Sequence, residues 1–415
     1  MPVKIIVDLE LLAKEVEDEV REVYLSIEKK ALKNHAKVLE GFRRWHISDY
    51  HLKGSTGYGY GDAGREALER VYAEIFRAEA ALVRGQIVSG THAIALCLYG
   101  ILRPGDELLF IQGEPYDTLS EMIGIRGEDH GSLKEFGINY RQVGLVDRTA
   151  IDYEAVGQAI SDRTRMVMLQ RSRGYSLNPS LSIREMKRII NFIRDKKPDT
   201  IIFVDNCYGE FVEEEEPIEA GADLAAGSLI KNPGGGIAAT GGYVVGKAQY
   251  VQMASNRWTA PGIGAGVGPT LEHNRLLFQG LFLAPHVVAE ALKGAVFASR
   301  FFERLGFEVM PRYDEERHDI VQAIRLDAPE RMLAFCRGIQ ACSPVDSHVV
   351  PEASTLPGYG EPVVMAAGTF IQGASLELSA DGPIRPPYVV YLQGGLSKEY
   401  VRLAVISAAR EVLKV

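Results

Sequence analysis

From about residue 85 to 245 the chain alternates short apolar runs with segments of helical periodicity. Residues 165–169, 201–204 and 242–245 read as strands, and 152–162 and 182–196 as helices. In the last of these, Ile183, Met186, Ile189, Ile190 and Ile193 line one face. This alternation predicts a mainly parallel sheet covered by helices on both faces, an α/β fold. Sheets of that kind bind ligands at the carboxyl ends of their strands. Residues just past the strands are therefore the candidates for chemistry.

The most apolar run, 201–204, leads into Asp205. A carboxylate there is costly to bury without a cationic partner. Lys231 follows in GSLIKNPGGG, where Gly227, Ser228 and Gly234, Gly235 and Gly236 are expected to let a flat cofactor approach it. A nucleophilic lysine needs a depressed pKa. An acid on a strand end can partner a protonated pyridine nitrogen. Upstream, Ser89-Gly90-Thr91-His92 joins an expected strand at 86–88 to an apolar helix. The free N–H groups and positive dipole end of a helix start suit a phosphate. His92 alone reads as a packed or capping residue. Tyr116, at a strand-to-helix junction, is placed either to stack on a planar cofactor or to fill a sheet edge. Arg171 and Arg173, just past the strand at 165–169, read either as anion partners or as surface arginines. The glycine-rich stretch from Gly54 to Gly64 holds Tyr58 and Tyr60 and reads as a ligand loop or a turn. Asp62 is its expected helix cap.

The flanks are simpler. Residues 11–44 have one apolar helical stripe, read as one long helix or one broken once, and fit either a docked helix or a solvated one. A long helix is expected over 284–305. After Gly306, strand-like FEVMPRY, DIVQAIRLD and PYVVYLQGG mix with helical stretches, which suggests a smaller α+β domain. The division expected is an N-terminal arm (1–50), a large domain (51–295) and a small one (296–415).

Composition narrows the partners. A formal charge of −9 with no dense Lys/Arg block argues against nucleic acid and anionic membrane. No apolar run reads as long enough to span a bilayer. The N-terminus lacks the pattern of a signal peptide. Cys97, Cys207, Cys336 and Cys342 are scattered, without metal-ligand spacing. They suggest reduced thiols, a cytoplasmic setting and no metal site.

Taken together, YGYGDAGREALE, SGTHAIAL, VDNCYGEF, SLIKNPGGGIAATGGY and FIQGASLELSADGPIRPPYVVYLQGGL resemble the fold-type I pyridoxal phosphate enzymes. Within them the chain is similar to the methionine γ-lyase-like family also called aluminium resistance proteins. The match runs from about residue 40 onward. It implies a seven-stranded-type sheet domain, pyridoxal 5'-phosphate, and a homo-oligomer, dimer or tetramer, sharing sites across subunits. It implies Lys231 as the lysine that holds the cofactor, Asp205 as partner of the ring nitrogen and Tyr116 on the ring. Ser89, Gly90, Thr91 and Ser228 would bind the phosphate, and Tyr58 or Tyr60 would reach a neighbour's phosphate. Two positions depart from the better-known relatives: Gly-Tyr-Gly-Tyr replaces their Tyr-x-Arg, and Ile230 replaces the Thr before the lysine. Arg171 or Arg173 could compensate for the latter, and Arg385 is the choice for the substrate carboxylate. The implied reaction is carbon–sulfur bond cleavage in a sulfur-containing amino acid, by β- or γ-elimination. The alternatives are an aminotransferase, a decarboxylase, or a non-catalytic binding protein on the same scaffold.

Overall fold

The computed structural model describes residues 8–127, 130–355 and 359–415. The chain divides into two compact units, residues 33–285 and the segment up to Leu32 joined with 286–415. The two boundaries fall inside continuous helices, Arg21–Arg44 and Asn274–Arg304. The expected limits, 50/51 and 295/296, are drawn elsewhere, the second also within the long helix.

The larger unit contains β1 (Ala80–Arg84), β2 (Glu107–Phe110), β3 (Asn139–Gln142), a small hairpin of β4 (Leu145–Val146) and β5 (Ala150–Ile151), β6 (Thr164–Gln170), β7 (Ile201–Asp205), β8 (Leu224–Ser228) and β9 (Gly242–Gly246). Seven of these form one sheet in the order β1-β9-β8-β7-β6-β2-β3. Pairings from β8 to β3 are parallel, while β9 runs antiparallel to both of its neighbours. The mixed, mostly parallel sheet is the one the alternation predicts. All five residues of β7 are buried, as expected where helices cover both faces. Each of Ile201, Ile202, Phe203 and Val204 contributes roughly 1.5–3 kcal/mol by leaving water. The helix Ile183–Lys196 buries the isoleucine face named above, and Ser182 caps it through the Glu185 N–H at 3.0 Å.

Three expectations need correction. Residues 86–88 are a turn, not a strand; the strand lies just upstream as β1, antiparallel to β9. Its Ala-rich sequence, AALVR, hides the β-branched signal that marks the other strands. The long helix starts at Asn274, not near 284, and runs through Pro285. A proline early in an apolar stretch looks like a first-turn residue, which is why the sequence suggests a later start. This helix is long and apolar enough to cross a membrane, contrary to the reading that no run qualifies. However, 83% of its most apolar window is buried inside the protein, as in a core helix.

The smaller unit holds a five-stranded antiparallel sheet of β10 (Glu308–Met310), β11 (Val321–Arg325), β12 (Val363–Ala366), β13 (Ser379–Pro383) and β14 (Val389–Gln393), in the order β10-β11-β14-β13-β12. Its core includes Leu12, Val16 and Val20, so the first helix, Leu9–Glu19, is docked rather than solvated. The helical stripe breaks once, at Val20.

Candidate active site

The carboxyl ends of β7 and β8 lie side by side, with Asp205 opposite Ala226 in register. Asp205 closes β7 with its side chain 4% exposed. Its Oδ1 accepts the Cys207 N–H at 3.1 Å, and the Tyr116 hydroxyl also hydrogen-bonds to the carboxylate. Burial pushes the Asp205 carboxyl up, against the opposing pull of the Lys231 charge and these donors. Tyr116 precedes the helix Asp117–Ile123 and is half-buried against the core of this unit. The structure therefore brings it to the Asp205 side chain.

The Ser89–Thr91 turn comes to the same place. Ser89 Oγ accepts the His92 N–H at 3.0 Å and caps the helix Gly90–Ile101. In the first turn of any helix the leading N–H groups have no intrahelical acceptor. A Cβ built on Gly90 would stand 3.0 Å from Cys207 Sγ and 3.5 Å from Ser228 Cβ. Glycine lets the helix start sit this close to Cys207, where an added methyl would need the sulfur to give by a few tenths of an ångström, and in ordinary contact range of Ser228. Ser228, the last residue of β8, is 2% exposed. His92 Nδ1 accepts the Val88 N–H at 3.2 Å, and burial lowers the ring's pKa. A neutral, capping His92 matches the reading from sequence.

Lys231 lies three residues past β8 and precedes the short turn Asn232–Gly234. Its Nζ stands 3.9 Å from the centroid of the Tyr208 ring. Desolvation disfavours its charge, but Cys207, Tyr208, Asp205 and Glu210 outweigh that and raise the pKa. In the chain without a cofactor this direction is opposite to the depression expected of a working lysine. The glycines near Lys231 also serve a different purpose from the expected cofactor clearance. A Cβ on Gly234 would meet Leu229 O at 1.8 Å, and one on Gly235 would meet Gly280 O at 2.4 Å. One on Gly227 would lie 2.7 Å from both Glu210 Oε1 and the Tyr243 ring. Protein atoms fill these spaces, so the glycines permit close backbone packing.

Behind the lysine lies a buried polar network that the sequence reading passed over. Arg171 is fully buried, and its guanidinium donates to Asn206 Oδ1 at 2.8 Å and pairs with Glu216 at 3.1 Å and Glu213 at 3.3 Å. It is neither a surface arginine nor an anion site; internal carboxylates occupy it. Glu210 is also fully buried, and Tyr243 donates to its Oε1 at 2.8 Å. Burial pushes the Glu210 carboxyl up to about 8. The run Glu213–Glu216 reads as a solvated loop in the sequence; Glu214 and Glu215 are exposed, but Glu216 is 0% exposed, as is Glu210 before the run.

Four further candidates remain. Tyr58 and Tyr60 are 71% and 72% exposed and stack on each other with centroids 5.4 Å apart. Their loop is fixed from below: buried Arg65 donates to Gly59 O and Gly268 O, both at 2.8 Å. Asp62 accepts from Thr270 at 2.6 Å and from the Arg65 N–H at 2.9 Å, the capping role expected of it. Arg173 is buried just past β6, at 5% exposure. Arg385, in the smaller unit, is exposed and paired with Glu361 at 3.1 Å.

Known proteins resemble the chain along almost its full length. The YnbB protein of Bacillus subtilis, itself uncharacterized, is 53% identical over 407 residues, covering 98% of this chain and 97% of that one. Two solved structures superpose closely. A candidate cystathionine beta-lyase involved in aluminium resistance, from Listeria monocytogenes, has a TM-score of 0.95 at 50% identity, covering 97% and 100% of the two chains. A carbon-sulfur lyase involved in aluminium resistance, from Clostridium novyi, has a TM-score of 0.93 at 45% identity, covering 98% and 96%. The pyridoxal-5'-phosphate dependent protein YhfS from Escherichia coli shares the fold at 17% identity, with a TM-score of 0.62. The family model described as Methionine gamma-lyase matches residues 9–413, and the chain belongs to that family.

Proposed function

We propose that this chain is a pyridoxal 5'-phosphate-dependent carbon–sulfur lyase that converts a sulfur-containing amino acid to a 2-oxo acid, ammonia and a thiol. The carrying observation is Gly90, which holds a helix start against both Cys207, two residues past Asp205, and Ser228, three before Lys231. The residues fit the cofactor. A buried carboxyl raised by desolvation suits a cationic ring nitrogen. The helix start and the Ser228 hydroxyl suit a phosphate. Lys231 offers the amine. The description of the Clostridium novyi relative supports the reaction class.

Bound there, the cofactor supplies an electron sink for charge developing at the substrate Cα. Ser89, Gly90, Thr91 and Ser228 bind its phosphate, with Arg173 as an added cation. Asp205 would keep the ring nitrogen protonated, and Tyr116, whose hydroxyl bonds to the Asp205 carboxylate, would flank the ring. Lys231 would hold the cofactor and, once released, could take the Cα proton. It can act as a base only once the negative charge around it is balanced, as a cationic ring nitrogen beside Asp205 would do. Tyr116 donates a proton to the departing sulfur as the C–S bond breaks with its electron pair on sulfur. Water then releases ammonia and leaves the 2-oxo acid. Arg385 is assigned to the substrate carboxylate. The exposed Tyr58 and Tyr60 serve the site of a second copy, which makes the working form a homo-oligomer. The four cysteines are all unpaired, in keeping with work in the cytoplasm.

Borohydride reduction of the purified protein followed by peptide mapping tests the cofactor. The expected result is a reduced adduct at Lys231; an adduct elsewhere, or none, overturns the reading. Keto acid and thiol release from cysteine, cystathionine, methionine and homocysteine then identifies the substrate, and turnover of none of them counts against the lyase.

A further inference from the structure

The turn after Asp205 contains an unusual aromatic. Tyr208 has φ +70°, in the left-handed region that bulky side chains avoid. Such a conformation persists only where the surroundings over-determine it, and here they do. Arg171 lies against Gly209 and donates to Asn206, while Asn206 also donates to Glu216 at 3.1 Å and to the Tyr243 hydroxyl at 3.2 Å. Phe211 N–H is held by Glu216 at 2.9 Å. Asn206, Gly209 and Phe211, on either side of Tyr208, are thus each held against buried partners. The result is to present the Tyr208 ring face to Lys231 Nζ at 3.9 Å.

A ring face attracts a cation, most strongly where water is excluded. The lysine backbone is fixed too: the Gly234 N–H binds Lys231 O at 3.1 Å, and Asn232 Nδ2 binds Glu210 O at 2.9 Å. Two rigid turns therefore meet through one flexible side chain and one ring. Resting on the cofactor reading above, we propose that the Tyr208 ring face is the seat of the Lys231 ammonium while no cofactor is attached to it. Tyr208 is a positioning residue. It holds the ammonium on its face near the strand end that carries Asp205, which fixes where the side chain waits for the cofactor's aldehyde. The ring face supplies this hold, and the hydroxyl is dispensable for it.

The test uses the full-length chain stripped of any bound aldehyde with hydroxylamine. Lys231 reactivity is read by trace labelling with acetic anhydride and peptide mapping at fixed pH. Replacing the ring by Tyr208→Leu is expected to speed labelling of Lys231 roughly tenfold, the scale of losing a desolvated cation–π contact. Tyr208→Phe should stay within about twofold of the parent. Tyr208→Gly, which accepts the left-handed backbone without strain, should behave like the leucine variant and guards against misfolding of that variant. Equal labelling of parent and ring-less variants overturns the proposal, as does a phenylalanine variant that behaves like leucine. Because no cofactor is present, these outcomes are independent of whether borohydride tags Lys231.

Discussion

A Cβ on Gly209 would stand 2.2 Å from Arg171 Cδ, so the arginine occupies the space a side chain would take. The same guanidinium is the cationic partner of fully buried Glu216. Gly209→Ala is therefore expected to displace Arg171 and leave a buried carboxylate unpaired. Removing one partner of a buried pair costs about 3–5 kcal/mol. Urea unfolding followed by circular dichroism should show a loss of at least ~2 kcal/mol; a variant as stable as the parent would show that the guanidinium has somewhere else to go.

Gly90 carries a second steric prediction. An added methyl would crowd Cys207 Sγ at 3.0 Å, a contact that needs a shift of a few tenths of an ångström. Gly90→Ala should push the helix start away from Ser228 and weaken cofactor binding, expected as about a tenfold rise in Kd by absorbance titration. Cys207→Ala removes the opposing sulfur, so the double variant should recover most of the loss. Additive effects of the two substitutions would mean that the contact is not what couples them.

Glu210 gives a pH signature. Desolvation by burial, aided by the Glu216 charge and opposed by Tyr243 and Lys231, raises its pKa to about 8. The folded chain keeps a proton that the unfolded chain releases near pH ~4.3. Stability from this group is therefore greatest at low pH. It falls as pH rises from the ordinary glutamate range toward about 8, by up to ~1.4 kcal/mol per pH unit. Glu210→Gln removes the titration. Its stability relative to the parent should climb as pH goes from about 5 to about 8. A difference that stays flat across that range would show that Glu210 does not titrate there.

Much of this site can be read from the sequence, because its parts obey local rules. The apolar run ending in Asp205 forms a strand by burial alone. Ser89 caps a helix through its own hydroxyl, and Gly90 is small because the helix start must approach β7 and β8. What the sequence hides is set by partners distant in the chain. Arg171 pairs with Glu213 and Glu216 across the strand ends, which no local pattern announces. The direction of the Lys231 shift depends on four neighbours, all of them in the strand end and turn from Asp205 to Glu210. The glycines around Lys231 look like room for a ligand in one dimension. In three they are contacts with Leu229, Gly280, Glu210 and Tyr243. β1 was misplaced for a related reason: AALVR becomes a strand because β9 pairs with it, not through its own propensity.

The Tyr58–Tyr60 pair tests how complete one subunit is. Two stacked, exposed tyrosines on a loop locked by Arg65 form a rigid projection, and they are more than two-thirds exposed in the isolated chain. If they complete the site of a second copy, then Tyr58→Ala/Tyr60→Ala and Lys231→Ala damage different subunits of the same site. Each variant alone should be nearly inactive. Coexpressed in equal amounts, they should form mixed dimers holding one intact site, so that about a quarter of parental activity returns. If the tyrosines serve their own subunit, every site in every dimer carries a defect, and coexpression restores nothing above the separate variants.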